Sequence, residues 1–147
     1  MKSIIIYASV HHGNTKKIVD AIAKENEIET VDATQIKEKD LSEYDVIGFA
    51  SGIYYGKFHQ SILNFASVNL PEKKKVFLIC TYGGRAVFHS MEEVVGSRQC
   101  EVIGKYSCIG YDTFGPFKLI GGISKGHPSE KELQAAVEFY RGLKIII

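Results

Sequence analysis

The feature that most constrains this chain is a set of short, almost uninterrupted apolar runs that alternate with amphipathic segments. Ile4–Ile6, Val46–Ala50 and Val76–Ile79 place apolar residues at nearly consecutive positions. A strand with one face in water alternates polar and apolar residues, whereas consecutive apolar residues are typical of strands covered on both faces. The predicted strands are Ser3–Ala8, Glu27–Asp32, Asp45–Ala50, Lys75–Thr81 and Glu101–Gly110.

Apolar residues recur at helical spacing between these runs. Ser129 followed by Glu132 has the pattern of a capping box, which marks the start of the last helix. Since parallel strands need crossover helices of one hand, the alternation predicts an α/β fold. We expect a doubly wound five-stranded parallel sheet in the order 2-1-3-4-5, with helices on both faces. The predicted helices are Thr15–Lys24, Phe58–Ser67, Val87–Val95 and Ser129–Leu143.

Size and composition restrict the class of protein. A chain of 147 residues and 16.4 kDa is that of one domain, which we expect to span residues 1–147. The net charge of +1 argues against a dedicated nucleic-acid binder, and no apolar run approaches the ~18 residues of a membrane span. The first residues lack the features of a signal peptide, so a cytoplasmic location is expected.

The three cysteines, Cys80, Cys100 and Cys108, have no C-x-x-C spacing. We interpret them as reduced thiols that pack in the structure. No cluster of metal ligands and no acid–base or nucleophilic set stands out, so we predict neither a metal site nor catalytic side chains.

Ligands of open parallel sheets bind beyond the carboxyl ends of the strands, where the strand order reverses. The informative segments are therefore those that follow the strands: Ser9–Thr15, Ser51–Lys57, Thr81–Arg85 and Tyr111–Gly115. A phosphorylation-receiver domain would need acidic residues at the ends of the first and third strands. Those positions hold Ala8-Ser9 and Ala50-Ser51, which excludes that class.

The first segment reads as strand, turn and helix start. The free amides of a helix N-terminus attract an anion, and the hydroxyls of Ser9 and Thr15 are suited to donate to phosphate oxygens. Gly13 permits a left-handed backbone. Ordinary helix capping by Asn14 is the alternative interpretation. The glycine and lysine spacings of triphosphate loops and dinucleotide fingerprints are absent, which leaves a monophosphate held by neutral donors.

Three of these segments, read together, resemble a known family. Ser9-x-x-x-Gly13-Asn14-Thr15 is similar to the phosphate loop of flavodoxins. Ser51–His59 resembles their second flavin loop, Thr81–Gly84 resembles the third, and Gly126-His127-Pro128 recurs in small flavodoxin-like proteins. The resemblance implies a flavodoxin-like fold with FMN as cofactor. The cofactor-binding residues that it implies are Ser9, His11, His12, Gly13, Asn14, Thr15, Ser51, Gly52, Ile53, Tyr54, Tyr55, Gly56, Thr81, Tyr82, Gly83 and Gly84.

Aromatic side chains are expected to stack on the flat flavin ring. Tyr54 and Tyr55 are adjacent, so only one should face the ring, and we favour Tyr54. Tyr82 or Phe114 is expected to supply the opposite wall. Below about pH 6.5, His11 and His12 would add positive charge beside the phosphate, unless they face the solvent.

This chain differs from carrier flavodoxins in three respects: its charge is near neutral, it has no tryptophan, and it has Gly84 where many members have an aromatic residue. Two functions remain open. We favour an electron-transfer protein, a monomer or weak dimer that shuttles electrons between redox partner proteins without binding nucleic acid or membranes. The alternative is an FMN-dependent oxidoreductase acting on a quinone or porphyrinogen-like substrate, which the Tyr-x-Gly-Lys-x-His run and the neutral charge favour.

Overall fold

The computed structural model describes residues 1–10, 13–110 and 126–147. The strands are β1 (Ser3–Ala8), β2 (Glu29–Asp32), β3 (Val46–Tyr54), β4 (Lys57–Phe58), β5 (Lys75–Tyr82) and β6 (Glu101–Ile109). The helices are α1 (Asn14–Asn26), α2 (Gln60–Asn69), α3 (His89–Ser97) and α4 (Glu130–Ile146).

The five long strands form one parallel sheet in the order β2-β1-β3-β5-β6. This is the expected 2-1-3-4-5 order with one short strand added, so the predicted α/β fold is confirmed. The added strand, β4, pairs antiparallel with the end of β3. Strand order reverses between β1 and β3, because β2 lies outside β1 while the later strands follow on the other side.

The consecutive apolar residues of the strands pack into two hydrophobic cores, one on each face of the sheet. Ile4 and Ile6 point to the face covered by α2 and α3, whereas Ile5 points to the face covered by α1 and α4. Because neighbouring side chains alternate between faces, three isoleucines in a row are buried only if both faces are covered. All three are completely buried.

Several boundaries differ from the sequence prediction. β3 continues to Tyr54 and α2 begins at Gln60, because residues 53–58 form a hairpin in which Ile53 pairs with Phe58 and Tyr54 pairs with Lys57. The two linking residues both have positive φ, as a type I′ turn requires. The Tyr-Gly pair at this turn is weaker evidence for a hairpin than Asn-Gly, so the sequence pattern predicted a helix start instead.

The last helix and the cysteines agree with the predictions. Ser129 Oγ accepts from the Glu132 N–H, and Glu132 Oε1 accepts from the Ser129 N–H at 3.0 Å, which completes the capping box. Cys80 and Cys108 are buried, and burial raises the pKa of each thiol to about 12. The expected long loop Tyr111–Pro128 lies mostly outside the described residues, as does Phe114.

Candidate functional site

The ends of β1, β3 and β5 are adjacent at the carboxyl edge of the sheet. Ala8 pairs with Ser51, and Ser51 in turn pairs with Cys80. The segments that follow these strands therefore meet, as the strand order led us to expect. They form the candidate site described below.

The turn after β1 presents the start of α1. Gly13 is the N-cap, with φ +67, and it has no side chain that could cap the first amides. In the alternative interpretation Asn14 was the N-cap of this helix. Helical geometry begins at Asn14 itself, so the N-cap position belongs to Gly13. Ser9 Oγ accepts from the Lys16 N–H at 2.9 Å. Ser9 thus satisfies one amide of the first turn and keeps its own hydroxyl proton for another acceptor. His11 and His12 lie outside the described residues.

Thr15 connects this turn with the third segment. Its hydroxyl lies 2.9 Å from the hydroxyl of Thr81, at the end of β5. Both side chains are buried. The Thr15 hydroxyl has one proton, and Thr81 competes for it with the phosphate to which Thr15 was expected to donate.

Asn14 is fixed against the end of β6, a contact that the sequence analysis missed. A Cβ at Gly110 would stand 2.5 Å from Asn14 Nδ2 and 2.8 Å from Asn14 Cγ. Gly110 therefore leaves the space that the buried Asn14 side chain occupies. The signal available in the sequence was a glycine directly after a strand, where a close approach is common.

The second segment is held by Ser51 and His59. Ser51 Oγ accepts from the His59 N–H at 2.9 Å and donates to the Gly52 carbonyl at 2.7 Å. His59 caps α2, since its Nδ1 accepts from the Ser61 N–H at 3.1 Å. Ser51 and His59 thus shape the hairpin and the start of α2.

A cavity of about 420 Å³ opens between the hairpin and the segment after β5. Its volume is within the range of small-molecule sites. Of the predicted residues, it is lined by Ile53, Tyr55, Gly56, Tyr82, Gly83 and Gly84. Arg85 and Val87 also line it, although the sequence analysis did not include them among the site residues.

The two adjacent tyrosines occupy different places. Tyr55 lines the cavity, whereas the ring of Tyr54 packs edge-on against His59, with the centroids 5.3 Å apart. Tyr54 does not line this cavity, so the expectation that Tyr54 faces the flavin ring stays a prediction. The physical reason for the two placements is the hairpin: Tyr54 is the last paired residue of β3, and Tyr55 belongs to the turn.

The arrangement suits a ligand with one anionic and one flat end. The start of α1 is suited to a phosphate, and the cavity offers two tyrosines and three glycines to a planar ring. Within the described ranges, no group of three His, Cys, Asp or Glu residues is placed to hold a metal ion. None of the described helices combines the length and apolar character needed to cross a bilayer.

Comparisons with known proteins agree with this arrangement. A family model described as a flavodoxin domain matches residues 4–95. An uncharacterized protein of Methanocaldococcus jannaschii is 38% identical over 147 residues, covering 97% of this chain and 98% of the relative. Among solved structures, oxidised flavodoxin 2 from Bacillus cereus aligns over 100% of both chains with a TM-score of 0.72 at 19% identity.

A second solved structure is a complex with a flavin. It is a flavoprotein from Lactobacillus acidophilus in complex with FMN, which aligns with a TM-score of 0.53 at 18% identity over 72% of this chain and 92% of its own. At these identities the structural matches show a common fold. The family match and the curated relative extend the similarity to the sequence itself.

Proposed function

We propose that this chain, which belongs to the flavodoxin family, binds FMN. We further propose that it transfers electrons between redox proteins. Its assignment as a flavodoxin-type flavoprotein is the premise. FMN as the particular flavin, and electron transfer as the activity, are our proposals. The observation that carries them is that the start of α1, where Gly13 offers no capping side chain, and the cavity lined by Tyr55 and Tyr82 both lie at the carboxyl edge of the sheet.

The phosphate end is supported by neutral donors. The first turn of α1 contains no acidic residue, and its N-cap leaves the helix end open to an anion. Ser9 keeps a hydroxyl proton to donate. A terminal monophosphate fits this set, whereas a longer phosphate chain would need the lysine and glycines that the turn lacks.

The ring end is supported by the cavity. Tyr55 and Tyr82 are the aromatic side chains that line it, and Gly83 and Gly84 line it without side chains of their own. A Cβ at Gly84 would meet nothing within 4 Å, so the space beside it is open. When bound, FMN would supply the redox chemistry, while this chain would orient the ring and determine which of its edges meets a partner.

Titration of the purified apoprotein with FMN and with riboflavin tests the proposal. The phosphate site predicts that FMN binds at least about tenfold more tightly than riboflavin, which lacks the phosphate. Visible absorbance and quenching of flavin fluorescence report binding. A protein that binds neither compound at millimolar concentration would refute the proposal.

The oxidoreductase alternative is favoured by one observation, the cationic Arg85 in the cavity wall, which suits an acidic organic substrate. Against it, the Nδ1 of His59 already accepts from the Ser61 N–H and so serves the start of α2. Redox titration separates the two functions. Two well-separated one-electron potentials support the carrier, whereas two-electron behaviour with turnover of NAD(P)H or a quinone supports the enzyme.

A further inference from the structure

The ends of β1, β3 and β5 at the carboxyl edge of the sheet belong to stretches of the chain that contain no acidic residue. Met1–Val19, Val46–Pro71 and Lys75–Met91 include no Asp or Glu, although the chain has 17 acidic residues. These stretches supply β1, β3 and β5, the segments that follow them, and the helix starts at the candidate site. The surface around the cavity is therefore formed without carboxylates from any of its three main segments.

Acidic residues are concentrated elsewhere. Nine lie between the middle of α1 and the start of β3, and they are Asp20, Glu25, Glu27, Glu29, Asp32, Glu38, Asp40, Glu43 and Asp45. Asp32, at the carboxyl end of β2, belongs to the sheet edge farthest from β5. Its Oδ1 accepts from Thr34 N–H at 2.9 Å and from Thr34 Oγ1 at 2.7 Å.

Two cations lie on the segments that form the hairpin and the cavity wall. Lys57 is exposed directly after the hairpin turn, and Arg85 lines the cavity. Neither forms an ion pair with any residue in the described ranges. Lys16, by contrast, is paired with Asp20 at 2.7 Å. A phosphate at the start of α1 would add negative charge beside the exposed Lys16 and Lys17, whereas Lys57 and Arg85 lie on the segments that follow β3 and β5.

Exposed apolar side chains accompany these cations. Tyr55, at the hairpin turn, is 86% exposed, and Val10, just after β1, is 57% exposed. Protein interfaces combine an aromatic anchor with a polar rim, and Tyr is enriched among their energetically important residues. A weak electron-transfer complex buries less than about 1,200 Å² in total, so it needs only a small patch of this kind.

We propose that Val10, Tyr55, Lys57 and Arg85 form a docking surface for an acidic redox protein. The proposal rests on the electron-transfer function proposed above and names the charge of the partner. A site for a small anion would bring several donors together at one point, whereas these cations are on different segments beside exposed apolar groups. Attraction between the cations and the partner's carboxylates would raise the association rate and orient the partner towards the cavity.

The first test measures the oxidation of the reduced, FMN-loaded protein by ferricyanide and by hexaammineruthenium(III), using stopped-flow absorbance. As ionic strength rises from about 10 to about 500 mM, we expect the ferricyanide rate to fall by about tenfold and the rate with the cationic reagent to rise. K57Q/R85Q should lower the low-salt ferricyanide rate by about threefold. The matched control K24Q/K75Q, which removes two exposed cations at the opposite edge, should leave it unchanged.

The second test uses the apoprotein and so does not depend on FMN. Titration with hexaglutamate should shift the backbone NMR signals of residues 55–57 and 83–87, and hexalysine should not. Equal responses to both peptides, or equal salt dependence for both oxidants, would overturn the docking proposal while leaving FMN binding intact. A protein that binds hexaglutamate at these residues but not FMN would instead overturn the proposed function.

Discussion

The hydroxyls of Thr15 and Thr81 lie 2.9 Å apart at the carboxyl edge of the sheet, although 66 positions separate the two residues in the chain. The contact joins the first turn of α1 to the end of β5. Thr15 is 1% exposed and Thr81 is 3% exposed, so neither hydroxyl has water as a ready substitute partner. The proposed phosphate end and ring end of the site are therefore positioned relative to each other by this pair.

Removal of one hydroxyl of this pair should destabilise the fold. Thr81→Val leaves the Thr15 hydroxyl buried without its bond to Thr81, and we expect the free energy of unfolding to fall by about 1–3 kcal/mol. The double variant Thr15→Val/Thr81→Val should lose less than the sum of the two single variants, because it leaves no orphaned hydroxyl. Urea denaturation measures all three.

Ser97→Ala is the control for this cycle. Its hydroxyl donates to the Val94 carbonyl at an exposed position, so we expect a change within about 0.5 kcal/mol. Strict additivity of the two threonine variants would show that the hydroxyl pair contributes no coupling energy.

Gly110→Ala should disturb the phosphate turn from a distance in the chain. The new Cβ would overlap the buried Asn14 side chain, at 2.5 Å from its Nδ2, and would force it to move. We expect a loss of about 1–3 kcal/mol in stability and weaker FMN binding on the order of tenfold. Thermal denaturation and fluorescence titration measure the two effects.

Gly142→Ala provides the matched glycine control. Gly142 lies within α4, and a Cβ there would meet nothing within 4 Å. Alanine should therefore stabilise the helix by up to about 1 kcal/mol without changing FMN affinity. If Gly110→Ala behaved in the same way, the Asn14 contact would not control the turn.

Gly56→Ala should strain the hairpin that carries Tyr55. Gly56 has φ +77, a conformation that costs a residue with a Cβ about 1–2 kcal/mol. Gly56→Asn should cost less, because Asn tolerates this region. Both variants replace the glycine, but only alanine is strongly disfavoured at this φ. The difference between their unfolding free energies, measured by urea denaturation, therefore reports the backbone strain. Equal destabilisation by Ala and Asn would contradict the strain argument.

Stability should depend on the ionisation of Glu132. Partial burial by itself would raise the pKa of this carboxyl, but hydrogen bonds from Ser129 and His127 outweigh it and lower the pKa below its ordinary value of 4.5. A carboxyl with a lowered pKa in the folded state contributes stability above its unfolded pKa and loses it as pH falls through the folded one. Unfolding free energies should therefore drop below pH 4.5.

Glu132→Gln should flatten this part of the pH profile. The amide keeps an oxygen that can accept from Ser129 but has no charge to titrate. The measurement is urea denaturation at several pH values between 3 and 6, with Glu138→Gln as the comparison on the same helix. Identical slopes for the parent chain and Glu132→Gln would show that this carboxyl does not contribute to acid sensitivity.

The sequence determined the architecture because the evidence for it is local. Runs such as Ile4–Ile6 can be buried only between two covered faces, and the capping box at Ser129 and Glu132 marks a helix start by itself. Strand order follows from chain alternation and crossover handedness. The turn proposed to bind the phosphate could be predicted for the same reason, since its residues are contiguous.

Tertiary structure alone decided which residues face the site. Tyr54 and Tyr55 are equivalent as sequence neighbours, and only the turn at residues 55–56 places Tyr55 at the cavity. The Thr15–Thr81 and Asn14–Gly110 contacts join distant segments, and no local pattern encodes them. Local preferences specify the elements and their order, whereas the orientation of a side chain depends on which other elements pack beside it.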